Sequence, residues 1–165
     1  MAAGIGIDSH RFEAGRRLVL GGVEIPYEMG LAGHSDADVL THAVIDALLG
    51  AAGQGDIGQH FPDTDPRWRD ADSLDLLRDV MALLDRLTLR VAQVDATIMM
   101  ERPRIGAYRA SMREALSTAM RLPVKCVNVK ATTGEGVGFV GRGEGVAALA
   151  VATIADAGSP DSGTD

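Results

Sequence analysis

Gly4-Ile5-Gly6-Ile7-Asp8-Ser9-His10-Arg11-Phe12 is the stretch from which the rest of the chain can be read. Its alternation puts Ile5 and Ile7 on one side and Gly6, Asp8 and His10 on the other. That predicts a strand whose polar face ends in two potential ligands. Arg17 to Leu20, Gly21-Gly22 and Val23 to Ile25 follow as a hairpin with a glycine turn.

Beyond the hairpin the period changes. Val39, Leu40, Ala43, Val44, Ala47 and Leu48 recur at helical spacing after His34-Ser35-Asp36-Ala37-Asp38. Ser35 is read as the N-cap, with Asp38 at the third helical position. Leu74, Leu77, Met81 and Leu84 form the stripe of a second helix after Asp72 or Ser73. Ile105, Tyr108, Met112, Ala115 and Ala119 suggest a third. Val91 to Met99 and Cys126 to Ala131 read as strands. Gly55 to Pro66 and the glycine-rich Gly134 to Gly145 read as irregular loops. Val146 to Ile154 is almost uniformly apolar, and periodicity leaves helix and strand both open. The tail from residue 158 reads as disordered. This order mixes strands and helices in one domain over 1–157, an α+β arrangement with helices on one face of a sheet.

Composition bounds the function. The 165 residues carry 16 Lys plus Arg against 23 Asp plus Glu, a net charge of -7, which argues against a nucleic-acid partner. A phosphorylated substrate stays open, because local cations can override the global sign. Cys126 stands alone, so no intrachain disulfide forms and a cytoplasmic setting fits. No apolar run reaches the ~18 residues of a membrane span. Met1 to Gly4 has no basic-then-apolar pattern, so no secretory leader is expected.

Asp8 and His10 share one strand face and can converge on one metal ion. His42, one turn beyond Asp38, is the best third ligand; two nitrogens, one oxygen and an open position suit a catalytic Zn²⁺. A chance D-x-H and a packed helical histidine explain the same residues. Asp46, one turn past His42, reads either as a carboxylate orienting the imidazole or as a solvated charge. The His34 to Asp38 helix start suits an anion, although ordinary capping accounts for Ser35. Asp56 and Asp63 lie in a loop that suits either a substrate flap or a solvated turn. Lys130-Ala131-Thr132-Thr133-Gly134-Glu135-Gly136 offers hydroxyls, amides and a carboxylate for a phosphate with a divalent cation, without being a P-loop.

Asp8-Ser9-His10-Arg11-Phe12, His34-Ser35-Asp36-Ala37-Asp38, His42, Gly55-Asp56-Ile57-Gly58, Phe61-Pro62-Asp63-Thr64-Asp65, Asn128 to Thr133 and Gly138-Phe139 to Gly145 stand in a particular order. With that ordered set the sequence resembles the 2-C-methyl-D-erythritol 2,4-cyclodiphosphate synthase family of the non-mevalonate isoprenoid route, over about residues 3 to 156. The resemblance implies a homotrimer with a channel on its threefold axis, and a strand at Val146 to Ile154. It implies Zn²⁺ on Asp8, His10 and His42, one ion per subunit, and Mg²⁺ or Mn²⁺ on Glu135. The methylerythritol phosphate portion would meet His34, Ser35, Asp56, Ile57, Gly58, Phe61 and Asp63. The cytidine diphosphate portion would meet Met100, Arg104, Ile105, Ala131, Thr132 and Thr133. Thr133, Asp56, His34 and Asp46 are the implied catalytic set. Phe139, Arg142 and Glu144 map near the channel, where an isoprenoid diphosphate would bind. Arg104 stands where many members carry Lys, which keeps the charge and changes the hydrogen-bond geometry. Two other readings compete: a non-haem Fe(II) oxygenase built on the same triad, and a non-catalytic trimeric module for isoprenoid diphosphates.

Overall fold

The computed structural model describes residues 1–158, so the tail from residue 159 lies outside the described residues. Seven strands and five α-helices follow in the order β1 (Ala2–Ala14), β2 (Leu18–Leu20), β3 (Val23–Ile25), β4 (Met29–Leu31), α1 (Val39–Ala51), α2 (Ile57–His60), α3 (Ser73–Arg86), β5 (Leu89–Met99), α4 (Arg109–Met120), β6 (Val127–Thr132), α5 (Gly138–Gly141) and β7 (Gly145–Asp156). The main sheet runs β4-β1-β7-β5-β6, with β2-β3 as a separate hairpin. Only β5 and β6 pair in parallel; the other neighbours are antiparallel. The domain is a single α+β unit with a mixed sheet.

The apolar run at the C-terminal end is a strand, β7, and it lies centrally between β1 and β5. Pairing along both edges, with β1 and with β5, makes the run a strand, and its positions Ala147, Leu149 and Val151 stay apolar although that face is only partly covered. Val146, Ala148, Ala150, Ala152 and Ile154 are buried on the face that α1 covers. The opposite face carries Ile5 and Ile7 of β1, which are 60% and 62% exposed, beside Val151 of β7 at 39%. The polar edge of β1 therefore points inward, under the helices, and its isoleucines point outward.

Small residues set the spacing between layers. A Cβ on Gly6 would stand 2.0 Å from the Ala43 carbonyl oxygen and 2.6 Å from the Ala47 nitrogen. Only a bare backbone lets α1 lie this close to β1. The stripe Leu74, Leu77, Met81 and Leu84 is buried on α3, as its period predicts.

Three local expectations are corrected. The N-cap of α1 is Asp38, whose carboxylate accepts the Thr41 amide at 3.0 Å. Ala37 in the left-handed region (φ 57°) turns the chain after Ser35, so the helix starts later than the Ser-first pattern suggests. The loop at 55–66 contains α2, capped by Asp56 through the Gln59 amide at 3.0 Å. The glycine-rich 134–145 stretch contains the short helix α5. In both loops a single turn closes over too few residues to leave a periodic signal.

Candidate metal centre and its flanking cavities

The close approach of α1 to β1 at Gly6 carries His42 onto the face where Asp8 and His10 stand. The Asp8 carboxylate oxygen Oδ2 lies 3.0 Å from His10 Nε2 and 3.0 Å from His42 Nδ1. The two imidazole nitrogens are 3.3 Å apart, with ring planes at 64°. A tetrahedral ion with ligands at about 2.0–2.1 Å holds its donors about 3.4 Å apart, so these three atoms fit such an ion with little movement. Among the described residues this is the one His, Cys, Asp and Glu group that could hold a metal ion.

The electrostatics agree with a ligand set. Burial pushes the Asp8 carboxyl up, but hydrogen bonds and charge from His10 and His42 outweigh it and hold it far below the usual carboxylate range. Burial pushes the His42 imidazole down, but the Asp8 hydrogen bond and the Asp8, Asp38 and Asp36 carboxylates carry it above its ordinary value. Three groups that a proton ties together in this way are also three groups that a cation can tie together.

His42 Nε2, on the far side of the ring, lies 2.9 Å from Ser73 Oγ and 3.2 Å from Ser35 Oγ. Asp46 does not hold an imidazole. Its Oδ1 accepts the Ile57 amide at 2.7 Å, so it ties α1 to the start of α2. Burial, together with the neighbouring carboxylates of Asp56 and Asp8, pushes the Asp46 carboxyl up against the pull of that amide. One turn along α1 from His42, the side chain of Asp46 leans over the flap rather than back toward the ring.

A cavity of 480 Å³ opens from the triad. Asp8, His10, His34, Ser35 and His42 line it together with Ile57, Gly58, Phe61, Asp63, Trp68 and Leu76. Asp56 is exposed and caps α2 instead of lining this cavity. Trp68 and Leu76 were not among the residues singled out from the sequence. An aromatic seven residues after Phe61 was the available signal, since the two rings pack edge to face at 5.0 Å.

A second cavity, of 440 Å³, is lined by Met100 to Gly106, Arg109, Ala131, Thr132 and Thr133. This gathers Met100, Arg104, Ile105 and the threonines; Arg109 is the addition, brought in by the turn that leads into α4. Thr133 donates its hydroxyl to Glu135, and Glu101 accepts the Gly134 amide at 2.8 Å, which fixes the loop between them. Phe139 and Arg142 lie on or next to α5 and border neither cavity, and Arg142 pairs with Glu144 at 2.7 Å. Asp8 pairs with Ala148, Ala148 with Ile98 and Ile98 with Ala131. Three strand spacings separate the metal side from the second cavity in one chain, about 14 Å.

A mixed-sheet α+β domain with two histidines and a carboxylate that could hold a metal ion beside a cleft has the layout of metal-binding small-molecule sites. The comparison with known proteins is more particular. The chain belongs to the YgbB family, whose profile matches residues 1–155. Proteins named 2-C-methyl-D-erythritol 2,4-cyclodiphosphate synthase are similar to it along nearly their whole length. The one from Symbiobacterium thermophilum is 57% identical, over 94% of this chain and 99% of that protein. The one from Syntrophobacter fumaroxidans is 55% identical, over 93% and 97%. A solved 2C-methyl-D-erythritol-2,4-cyclodiphosphate synthase in a CDP-bound form superposes with a TM-score of 0.85 at 41% identity, covering 93% of this chain and 99% of that one.

Proposed function

We propose that the chain catalyses the reaction its relatives are named for. It converts 4-diphosphocytidyl-2-C-methyl-D-erythritol 2-phosphate to 2-C-methyl-D-erythritol 2,4-cyclodiphosphate and CMP, as a phosphorus-oxygen lyase. The observation that carries this reading is the meeting of Asp8, His10 and His42 within 3.0–3.3 Å at the mouth of the flap cavity. The related structure in its CDP-bound form supports a nucleoside diphosphate as ligand, and the second cavity, lined by Arg102, Arg104 and Arg109, offers the positive charge such a ligand needs.

The chemistry is intramolecular. An oxygen of the 2-phosphate bonds to the β-phosphorus, the bond to the bridging oxygen breaks, and CMP leaves with that oxygen. No protein nucleophile is needed. The obstacle is one anion attacking another, since two unit charges 4 Å apart repel by roughly 4 kcal/mol at an effective dielectric of 20. Zn²⁺ on Asp8, His10 and His42, and Mg²⁺ or Mn²⁺ on Glu135, supply positive charge and Lewis acidity to the phosphoryl oxygens when bound. Glu135 is a single exposed carboxylate, which suits an ion that keeps most of its shell from substrate and water.

The chain's own groups do the positioning. Ser35 and His34 border the erythritol phosphate portion, together with Ile57, Gly58, Phe61 and Asp63. Asp56 holds α2 and Asp46 anchors its first amide, so the flap presents a fixed surface that folds the substrate into a ring-closing shape. Thr133 turns its hydroxyl from Glu135 to a phosphoryl oxygen. Arg104 and Arg109 bring positive charge to the nucleotide side.

The same reading includes a homotrimer. The uncovered apolar face around Ile5, Ile7 and Val151 supports it, because a face of that kind needs a partner. An isoprenoid diphosphate would then reach Phe139, Arg142 and Glu144 at one end of the threefold channel. A cytoplasmic setting fits the free Cys126, and no helix among the described residues is long and apolar enough to cross a membrane.

The test is direct. Purified protein with the diphosphocytidyl substrate should yield CMP and the cyclic product by mass spectrometry. A chelator should abolish this, and Zn²⁺ with Mg²⁺ should restore it. His42→Ala should lose bound zinc and lose rate by at least the ~10–100-fold that removing an outer-shell partner of a metal ligand costs. Full activity with unchanged zinc content in that variant removes the proposal.

A further inference from the structure

At the metal centre one buried side chain, Ser73, links His42 to the carboxylate of Asp36. Ser73 is fully buried at the first residue of α3. Its Oγ lies 2.9 Å from His42 Nε2 and makes a very short contact with Asp36 Oδ1. The Ser73 amide donates to the other oxygen, Asp36 Oδ2, at 3.0 Å. Asp36 also accepts the Asp38 amide, at 3.2 Å.

The shortest contacts around His42 Nε2 favour one arrangement. An ionised carboxylate only accepts, so the Ser73 hydroxyl gives its one proton to Asp36. Ser73 Oγ then faces His42 Nε2 with a lone pair. That pairing is satisfied only if Nε2 carries the proton. Nδ1, the nitrogen that points to Asp8 and His10, donates to the Asp8 carboxylate while no cation is bound, and presents its lone pair once a cation takes the place of that proton. Ser35 is the rival partner, but it lies farther, at 3.2 Å, and its oxygen already accepts the Ala37 amide at 3.2 Å.

We infer that Asp36 and Ser73 are positioning residues, which fix the tautomer and ring direction of His42 so that Nδ1 is presented as a ligand. This rests on the reading of the triad as a metal centre. It gives the Asp36 of His34-Ser35-Asp36-Ala37-Asp38 a task distinct from capping. It also moves the orienting carboxylate from α1, where Asp46 sits, to the loop before it. The join between Asp36 and the first turn of α3 thereby couples that helix to the metal ligand.

Zinc affinity and histidine tautomer, both measured on the full chain, test the relay. Zinc competition against a chromophoric chelator should show Ser73→Ala weakened about 10- to 100-fold, the usual cost of removing such a partner. Asp36→Asn should weaken it in the same direction, and Ser73→Thr, which keeps the hydroxyl, should bind within about threefold of the parent. Ser35→Ala should change affinity less than Ser73→Ala. In the zinc-loaded parent, ¹⁵N-edited NMR should find the His42 proton on Nε2, a readout independent of whether any variant folds. A proton on Nδ1, or a loss below about fivefold in a folded Ser73→Ala, overturns the relay while leaving the metal centre standing. A parent whose zinc binding is indifferent to His42→Ala overturns both.

Discussion

Asp38 is fully buried, and its carboxylate accepts the amides of Gly21 and Gly22 at 2.8 and 2.7 Å, the Thr41 amide at 3.0 Å and the Thr41 hydroxyl at 2.7 Å. One side chain thus caps α1 and pins the β2-β3 turn to it. An amide in its place would offer one oxygen and turn an NH₂ toward donors. Each buried donor left without a partner costs about 1–3 kcal/mol. Asp38→Asn should therefore lower unfolding stability by about 2 kcal/mol or more in urea titration, with zinc affinity reduced through the shifted start of α1. A loss below about 0.5 kcal/mol would show that water or a rearranged turn replaces the four bonds.

Between elements, the contact of β1 with α1 governs both stability and site. Gly6→Val would drive side-chain carbons into the backbone of α1 at Ala43 and Ala47. Overpacking of that kind costs about 3 kcal/mol or more when backbone must move. The expected outcome is a large drop in the denaturation midpoint together with loss of metal binding, since His42 would retreat from Asp8. At the other end of the sheet, β5 and β6 are tied by Lys130 to Asp95 at 2.6 Å, with Asn128 donating to the same carboxylate at 2.9 Å. The Lys130 hydrogen bond leads in holding the Asp95 carboxyl below its usual range. A depressed folded value means that this stabilisation is present above the unfolded carboxylate range and is lost as pH falls through the folded value. The pair is largely exposed, so its worth is at most about 1 kcal/mol. Stability of Lys130→Ala and of the parent should differ by that amount at pH 7 and converge in acid; a gap that persists at low pH would assign the effect to packing of the lysine stem.

For the whole molecule, the decisive surface is the sheet face that no helix among the described residues covers. Ile5, Ile7 and Val151 form an exposed apolar strip on paired strands. Light scattering should give the mass of three chains, and Ile7→Glu, a charge in the middle of the strip, should give the mass of one. A parent that runs as a single chain would remove the trimer, and with it the reading of Phe139 and Arg142 as neighbours of a channel.

The chemistry of single positions was legible in the chain itself. Asp8 and His10 share a face because a strand alternates, and the stripe on α3 is buried because a helix repeats every 3.6 residues. These are local rules, and local sequence obeys them. The tertiary structure decided what depends on a second segment. It made Val146 to Ile154 a strand by giving it neighbours on both edges, moved the α1 cap to Asp38 by bringing the Gly21-Gly22 turn against it, and turned Asp46 to the Ile57 amide. It also brought Ser73 to His42 from 31 residues away. A hydrogen bond across that separation leaves no period or spacing in the sequence, because it is set by how two packed layers meet rather than by how one chain coils.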